Sequence, residues 1–203
     1  MHSDKRQRIM QAAERLFGTR RVHEITLDEI AREADVGKGT LYLYFADKED
    51  MIFQAAVSGF EDMCRKVREG PVPGAAFRDT LLRTCETVAG FFQARRALFR
   101  IILSEGARGM EGGGGLRQRW LDHRGLMTEA VAAIIAQGMA SGEVRGDVPA
   151  GVLAEYLLGM LRTRSWELEG CPDEQRSIAV TVDLFLGGAG AAARACAAHP
   201  GRA

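Results

Sequence analysis

Near the start of the chain the apolar residues Ile9, Ala12, Ala13, Leu16 and Phe17 recur at i, i+3, i+4, i+7 and i+8, which draws one stripe along a helix from about 4 to 18. In "ITLDEIAREA", Thr26 and Glu29 have the separation of a capping box, and Ile25 is placed to staple onto Ile30. A second helix therefore starts at Leu27, collects Leu27, Ile30, Ala31 and Ala34 on one face, and ends near Asp35, a residue type that tolerates the left-handed conformation. Val36 follows as a buried plug, a very short third helix runs from Lys38 to Tyr44, and Asp47 caps a fourth over 48–69. Gly70, Pro71, Pro73 and Gly74 then break the chain. The fourth helix carries two apolar stripes, Ile52, Ala56, Gly59 and Met63 beside Phe53, Val57, Phe60, Cys64 and Val67. A face that broad packs on more than one partner, so this helix is expected to be shared between a head, residues 1–47, and a body, residues 48–203. Further helices are expected at about 75–94, 96–107, 116–140, 150–168 and 174–198. No strand pattern competes, and the expected fold is all-α with about nine helices.

Composition adds little beyond solubility. The 203 residues are enough to bury a core, and Lys+Arg and Asp+Glu both number 27. A net charge of zero argues against bulk attraction to nucleic acid or membrane but leaves room for a local basic surface. No apolar stretch reaches the roughly 20 residues of a membrane span. The charged, amphipathic start lacks the apolar block of a secretory leader, so a cytoplasmic location and no membrane partner are expected. Cys64, Cys85, Cys171 and Cys196 are scattered without a C-x-x-C pair, and the four histidines show no metal spacing. Free thiols, no metal and no cofactor are the expectation.

Two nucleotide-like patterns fail on spacing. "DVGKGTLYLYF" contains Gly-Lys, but Arg32 stands where a P-loop needs its first glycine, and Gly39 where it needs a Ser or Thr. "VTVDLFLGGAGAAA" imitates a dinucleotide fingerprint, yet neither a βαβ unit nor an acidic residue about 20 positions on is present. An enzyme would need a nucleophile with its base, a carboxylate pair or a metal set, and none is visible, so no catalytic residue is expected.

Helix two, a tight turn and helix three instead make a helix-turn-helix, whose second helix can enter a major groove. Gly37 and Gly39 would let the backbone approach a phosphate, Lys38 supplies charge, and Thr40 can hydrogen-bond. Leu41 and Phe45 fall on one face, for packing, while Tyr42 and Tyr44 point elsewhere, either covering core or offering hydroxyls to phosphates. Thr26 and Lys48 fit a backbone clamp, and Lys5, Arg6 and Arg8 belong either to it or to the solvated surface.

"IMQAAERLF" and "ITLDEIAREADVGKGTLYLYFADKEDM", over about residues 6–55, resemble the TetR family of bacterial transcriptional regulators. The resemblance implies a homodimer with a DNA-binding head and a ligand-binding body, usually a repressor released from its operator by a small molecule. By position it implies DNA contacts at Thr26, Lys38, Gly39, Thr40, Tyr42, Tyr44 and Lys48. The chain departs from the family pattern at Asp35, Gly37 and Leu43, where Gly, Ser and a polar or aromatic residue are common.

In the body, helices 150–168 and 174–198 are apolar on several faces and need partners beyond their own subunit; the family resemblance implies that they pair two copies, on a palindromic, double-stranded operator. Phe91, Phe92, Phe99, Trp120 and Met127 are either ordinary core or the wall of a pocket for a small apolar ligand, and His123 is either its polar anchor or a core histidine. The competing reading is a helical adaptor or small-molecule-binding protein whose head no longer reads DNA.

Overall fold

The computed structural model describes residues 2–21, 24–70, 74–104 and 115–189. All of its regular elements are helices: α1 (His2–Thr19), α2 (Leu27–Glu33), α3 (Lys38–Tyr42), α4 (Lys48–Val57), α5 (Phe60–Glu69), α6 (Phe77–Ala94), α7 (Arg96–Ser104), α8 (Leu116–His123), α9 (Gly125–Ala140), α10 (Ala150–Trp166) and α11 (Ile178–Ala189). The nine expected rods are present, but two of them are each cut into two segments.

The first cut overturns the single helix expected over 48–69. Its path ends at Val57, and Gly59 takes a φ of +74°, a left-handed conformation that a continuing helix excludes and that glycine adopts without strain. The two apolar stripes therefore belong to two helices, α4 and α5, each of which buries its own set. The second cut falls at Arg124, between α8 and α9, where the sequence predicts one helix over 116–140. A third correction concerns α11, which starts at Ile178 rather than 174 because the Ser177 hydroxyl, not Asp173, accepts the Val180 amide at 3.2 Å. The expected ends of helices 96–107 and 174–198, with Cys196, lie outside the described residues.

The chain forms two compact units, Met1–Gly59 with Ala94–His123, and Phe60–Gln93 with Arg124–Ala203. In the first, α1 packs on α2, α4 and α7, α2 on α3, and α8 on α4 and α7. Its centre holds Ile9, Ile25, Ile30, Leu41, Phe45, Ile52, Phe99 and Ile102, each at most 2 % exposed. This compact unit brings α7 and α8, which lie far along the sequence, together with the helices of residues 1–47.

In the second unit α9 packs between α5 and α10, and α11 lies on α10. Gly138 of α9 permits one close approach: a methyl group there would sit 2.4 Å from the Phe77 ring of α6. Polar ties frame this core. Arg78 of α6 donates to Asp183 of α11 at 2.7 Å, and Glu155 of α10 receives Thr128 at 2.9 Å and also Arg124.

Candidate nucleic-acid interface

The reading candidate is α3, and its orientation follows from α2. Thr26 caps α2 by accepting the Glu29 amide at 3.2 Å, while the Glu29 carboxylate accepts the Thr26 amide at 2.8 Å. Hydrogen bonds from the Thr26 backbone and from Arg20 hold the Glu29 pKa down to about 2. After α2, Asp35 takes a φ of +53°, and the Val36 amide returns to the Ala31 carbonyl at 3.0 Å, which closes a short, fixed turn.

Gly37 then caps α3 without a side-chain hydrogen bond. Its φ of −69° is open to any residue, and an added Cβ would meet only the Thr40 hydroxyl at 3.9 Å, so the fold itself does not demand glycine here. Leu41 and Phe45 are 0 % and 1 % exposed, whereas Tyr42 is 49 % and Leu43 79 % exposed. The short helix therefore has a buried side and a solvent side. Lys38 and Gly39 are exposed, and Thr40 and Tyr44 are half-buried.

The basic residues are not loose. Lys38 Nζ lies 2.8 Å from Asp28 Oδ1, and Arg8 lies 3.5 Å from Asp35. Arg6 donates to Gln54 at 2.6 Å and stands 5.9 Å from the Phe45 ring. Lys48 donates to the Ile25 carbonyl at 2.5 Å, just before the cap of α2, and burial pushes its pKa down despite the nearby Glu29. Lys48 therefore holds the α4 start against the α2 start, a structural role that its sequence position does not reveal. Thr26 likewise has its hydroxyl committed to the cap.

The six pocket candidates divide between the units. Phe99 and Trp120 meet edge-on at 4.8 Å, and His123 lies edge-on to Phe53 at 5.9 Å, all in the first unit. Phe91 meets Phe92 at 5.5 Å and Phe60 at 5.7 Å, and Met127 is buried, all in the second. In the same unit Tyr156 and Met160 of α10, Val180 and Leu184 of α11 and Leu168 from the segment between them line a groove of ≈ 450 Å³, and Val152 of α10 is also exposed. No group of three His, Cys, Asp or Glu that could hold a metal occurs among the described residues. No described helix is long and apolar enough to cross a membrane.

Residues 9–55 match the tetR family of bacterial regulatory proteins, and residues 74–184 match the tetracyclin repressor-like C-terminal domain. The chain belongs to the TetR family. TetR proteins are helix-turn-helix transcriptional regulators, and this chain is similar to UidR, an HTH-type transcriptional regulator of Escherichia coli, with 26% identity over 76% of each chain. The TetR fold recurs in Salmonella enterica GusR, with a TM-score of 0.72 at 24% identity over 91% of this chain and 94% of that one. It recurs again in the Bacillus subtilis regulator FadR, solved with stearoyl-CoA, with a TM-score of 0.67 at 17% identity over 90% and 96%.

Asp28 and Asp50 are two of the charged residues of the head that sequence reasoning passed over. Asp28 precedes Lys38 by ten positions and meets it only because the turn folds α3 back beside α2. No local spacing announces that pair.

Proposed function

We infer that this TetR-family regulator is a ligand-responsive repressor, not an enzyme, that binds a palindromic operator in the cytoplasm as a homodimer. The observation that carries the reading is the divided face of α3: Leu41 and Phe45 anchor the helix, and Lys38, Gly39, Thr40 and Tyr42 are left on the side away from the core. Backbone phosphates meet Lys38, Gly39, Thr26 and Lys48, and Thr40, Tyr42 and Tyr44 reach base edges or the phosphates beside them. Thr26 and Lys48 join in through rotations that exchange an internal hydrogen bond for a phosphate.

Two copies pair through α10 and α11. The exposed Val152, Tyr156 and Leu184 support this, since large apolar side chains left exposed on two adjacent helices, Tyr156 and Leu184 on one groove, call for a cover. The effector is a small apolar molecule held either by Phe91, Phe92 and Met127 or by Phe99, Trp120 and His123. Its binding shifts the population toward an arrangement that reads the operator poorly. The helix break at Gly59, where the chain leaves the first compact unit, supports such a shift.

The test is a titration of duplex fragments, selected by binding from the source genome, at several salt concentrations. Sequence-specific binding with a steep salt slope is expected, Lys48→Ala weakening all DNA and Tyr42→Ala mainly eroding the preference for selected fragments. Wild-type-like binding by both variants would show that the reading face has been misassigned.

A further inference from the structure

Four positive charges of the head are matched by its own acids. Arg15 pairs with Glu33 at 3.0 Å, Arg20 with Glu29 at 3.1 Å and Arg8 with Asp35 at 3.5 Å. On α3 the pairing is tighter: Lys38 Nζ lies 2.8 Å from one oxygen of Asp28 and 3.0 Å from the other. Both side chains are more than half exposed, at 59 % and 53 %. An exposed pair adds little to stability, so the fold alone does not account for an acid at this place. The favourable effect of a carboxylate in the first turn of α2 is already supplied by Glu29.

We propose that Asp28 is a specificity-determining residue of the DNA-reading head, holding the Lys38 ammonium so that phosphates capture it only where the reading helix also makes its base contacts. This rests on the DNA-binding reading above. Attraction between lysine and phosphate is sequence-independent and drives non-specific binding. With Asp28 in place, a phosphate must first displace a carboxylate from Lys38 and then lie near that freed negative charge. At the right site the fixed geometry of direct contacts offsets this cost, whereas the looser, hydrated contacts at other sequences do not. Asp28 therefore weakens binding to all DNA, and to the wrong DNA most.

Asp28→Asn keeps the shape and removes the charge. By fluorescence anisotropy, using a labelled mixed-sequence duplex as the non-specific probe, the variant is expected to bind about threefold to tenfold more tightly than wild type, with a salt slope steeper by about one. The preference for a genome-selected fragment over the mixed duplex falls. In a Lys38→Met background the same substitution has a much smaller effect. A purely structural role for Asp28 would lower affinity instead, and Asp28→Ser, which keeps a residue favoured at helix starts, controls for folding. Unchanged or weaker binding of the mixed duplex by both folded variants overturns the role of Asp28, as does an equal gain in the Lys38→Met background. If wild type itself shows no preference for any selected fragment, the DNA-reading proposal falls, and this one with it.

Discussion

The Arg119 guanidinium donates to Asp50 at 2.9 Å while its carbon lies 4.2 Å from the centre of the Phe53 ring, so one side chain of α8 grips α4 by charge and by π-face together. The Asp50 carboxylate also accepts the Ala46 amide at 3.2 Å and Gln54 at 2.8 Å. It thus ties α8 to the point where the chain leaves the reading helix. Burial pushes the Asp50 pKa up, but these hydrogen bonds and the Arg119 charge outweigh it and leave it below the usual carboxylate value.

Arg119→Ala should destabilise the protein by about 1–2 kcal/mol, because it leaves a partly buried carboxylate short of a donor. A double-mutant cycle with Asp50→Asn, followed by urea unfolding, should give a coupling of about 1 kcal/mol near neutral pH. Since the folded pKa of Asp50 is depressed, that coupling is present above its unfolded value and disappears as pH falls through the folded one. Additive effects of the two substitutions at neutral pH would mean that the pair is not coupled.

Asp35 holds a left-handed φ of +53° with its side chain 97 % exposed and only a 3.5 Å approach to Arg8. Asp35→Gly should therefore stabilise the head by about 0.5–1 kcal/mol, and Asp35→Val should destabilise it by about 1–2 kcal/mol. Chemical denaturation of the two variants checks the opposite signs.

Gly138→Ala tests packing against helix propensity. In an open helix the change would stabilise by about 1 kcal/mol. Here the new methyl would meet the Phe77 ring at 2.4–2.8 Å, so a net loss of about 1–3 kcal/mol is expected. Phe77→Leu in the same chain should recover part of it, as read from the melting temperature.

Glu29 supplies an acid-sensitive contribution. Its carboxyl titrates near 4.5 when unconstrained and at about 2 in the fold, mainly through the Thr26 backbone hydrogen bond and then through Arg20. The stabilisation is complete above about pH 4.5 and is lost as pH falls toward 2. Melting temperatures from about pH 5 to about pH 2 should fall less steeply for Glu29→Gln than for wild type.

The head was legible because its information is local. Thr26 and Glu29 are three residues apart, Leu41 and Phe45 four, and Asp47 caps at Asp50, so one turn of helix brings each set together. Those spacings determined the all-helical class, the helix-turn-helix and the two sides of α3, and the motif carried the family with them. Tertiary structure decided the rest. The break at Gly59 is invisible in a pattern whose apolar stripes run on through it, because glycine permits both the helical and the left-handed conformation and only packing selects one. Phe99 and Trp120 are buried edge-on to each other although they stand on different helices, since burial depends on which helices meet and not on how apolar each is. Charge is the clearest case: no local spacing pairs Lys38 with Asp28 or Arg119 with Asp50, and which acid meets which base is settled by helices that the fold lays side by side, consecutive ones for the first pair and ones far apart in the chain for the second.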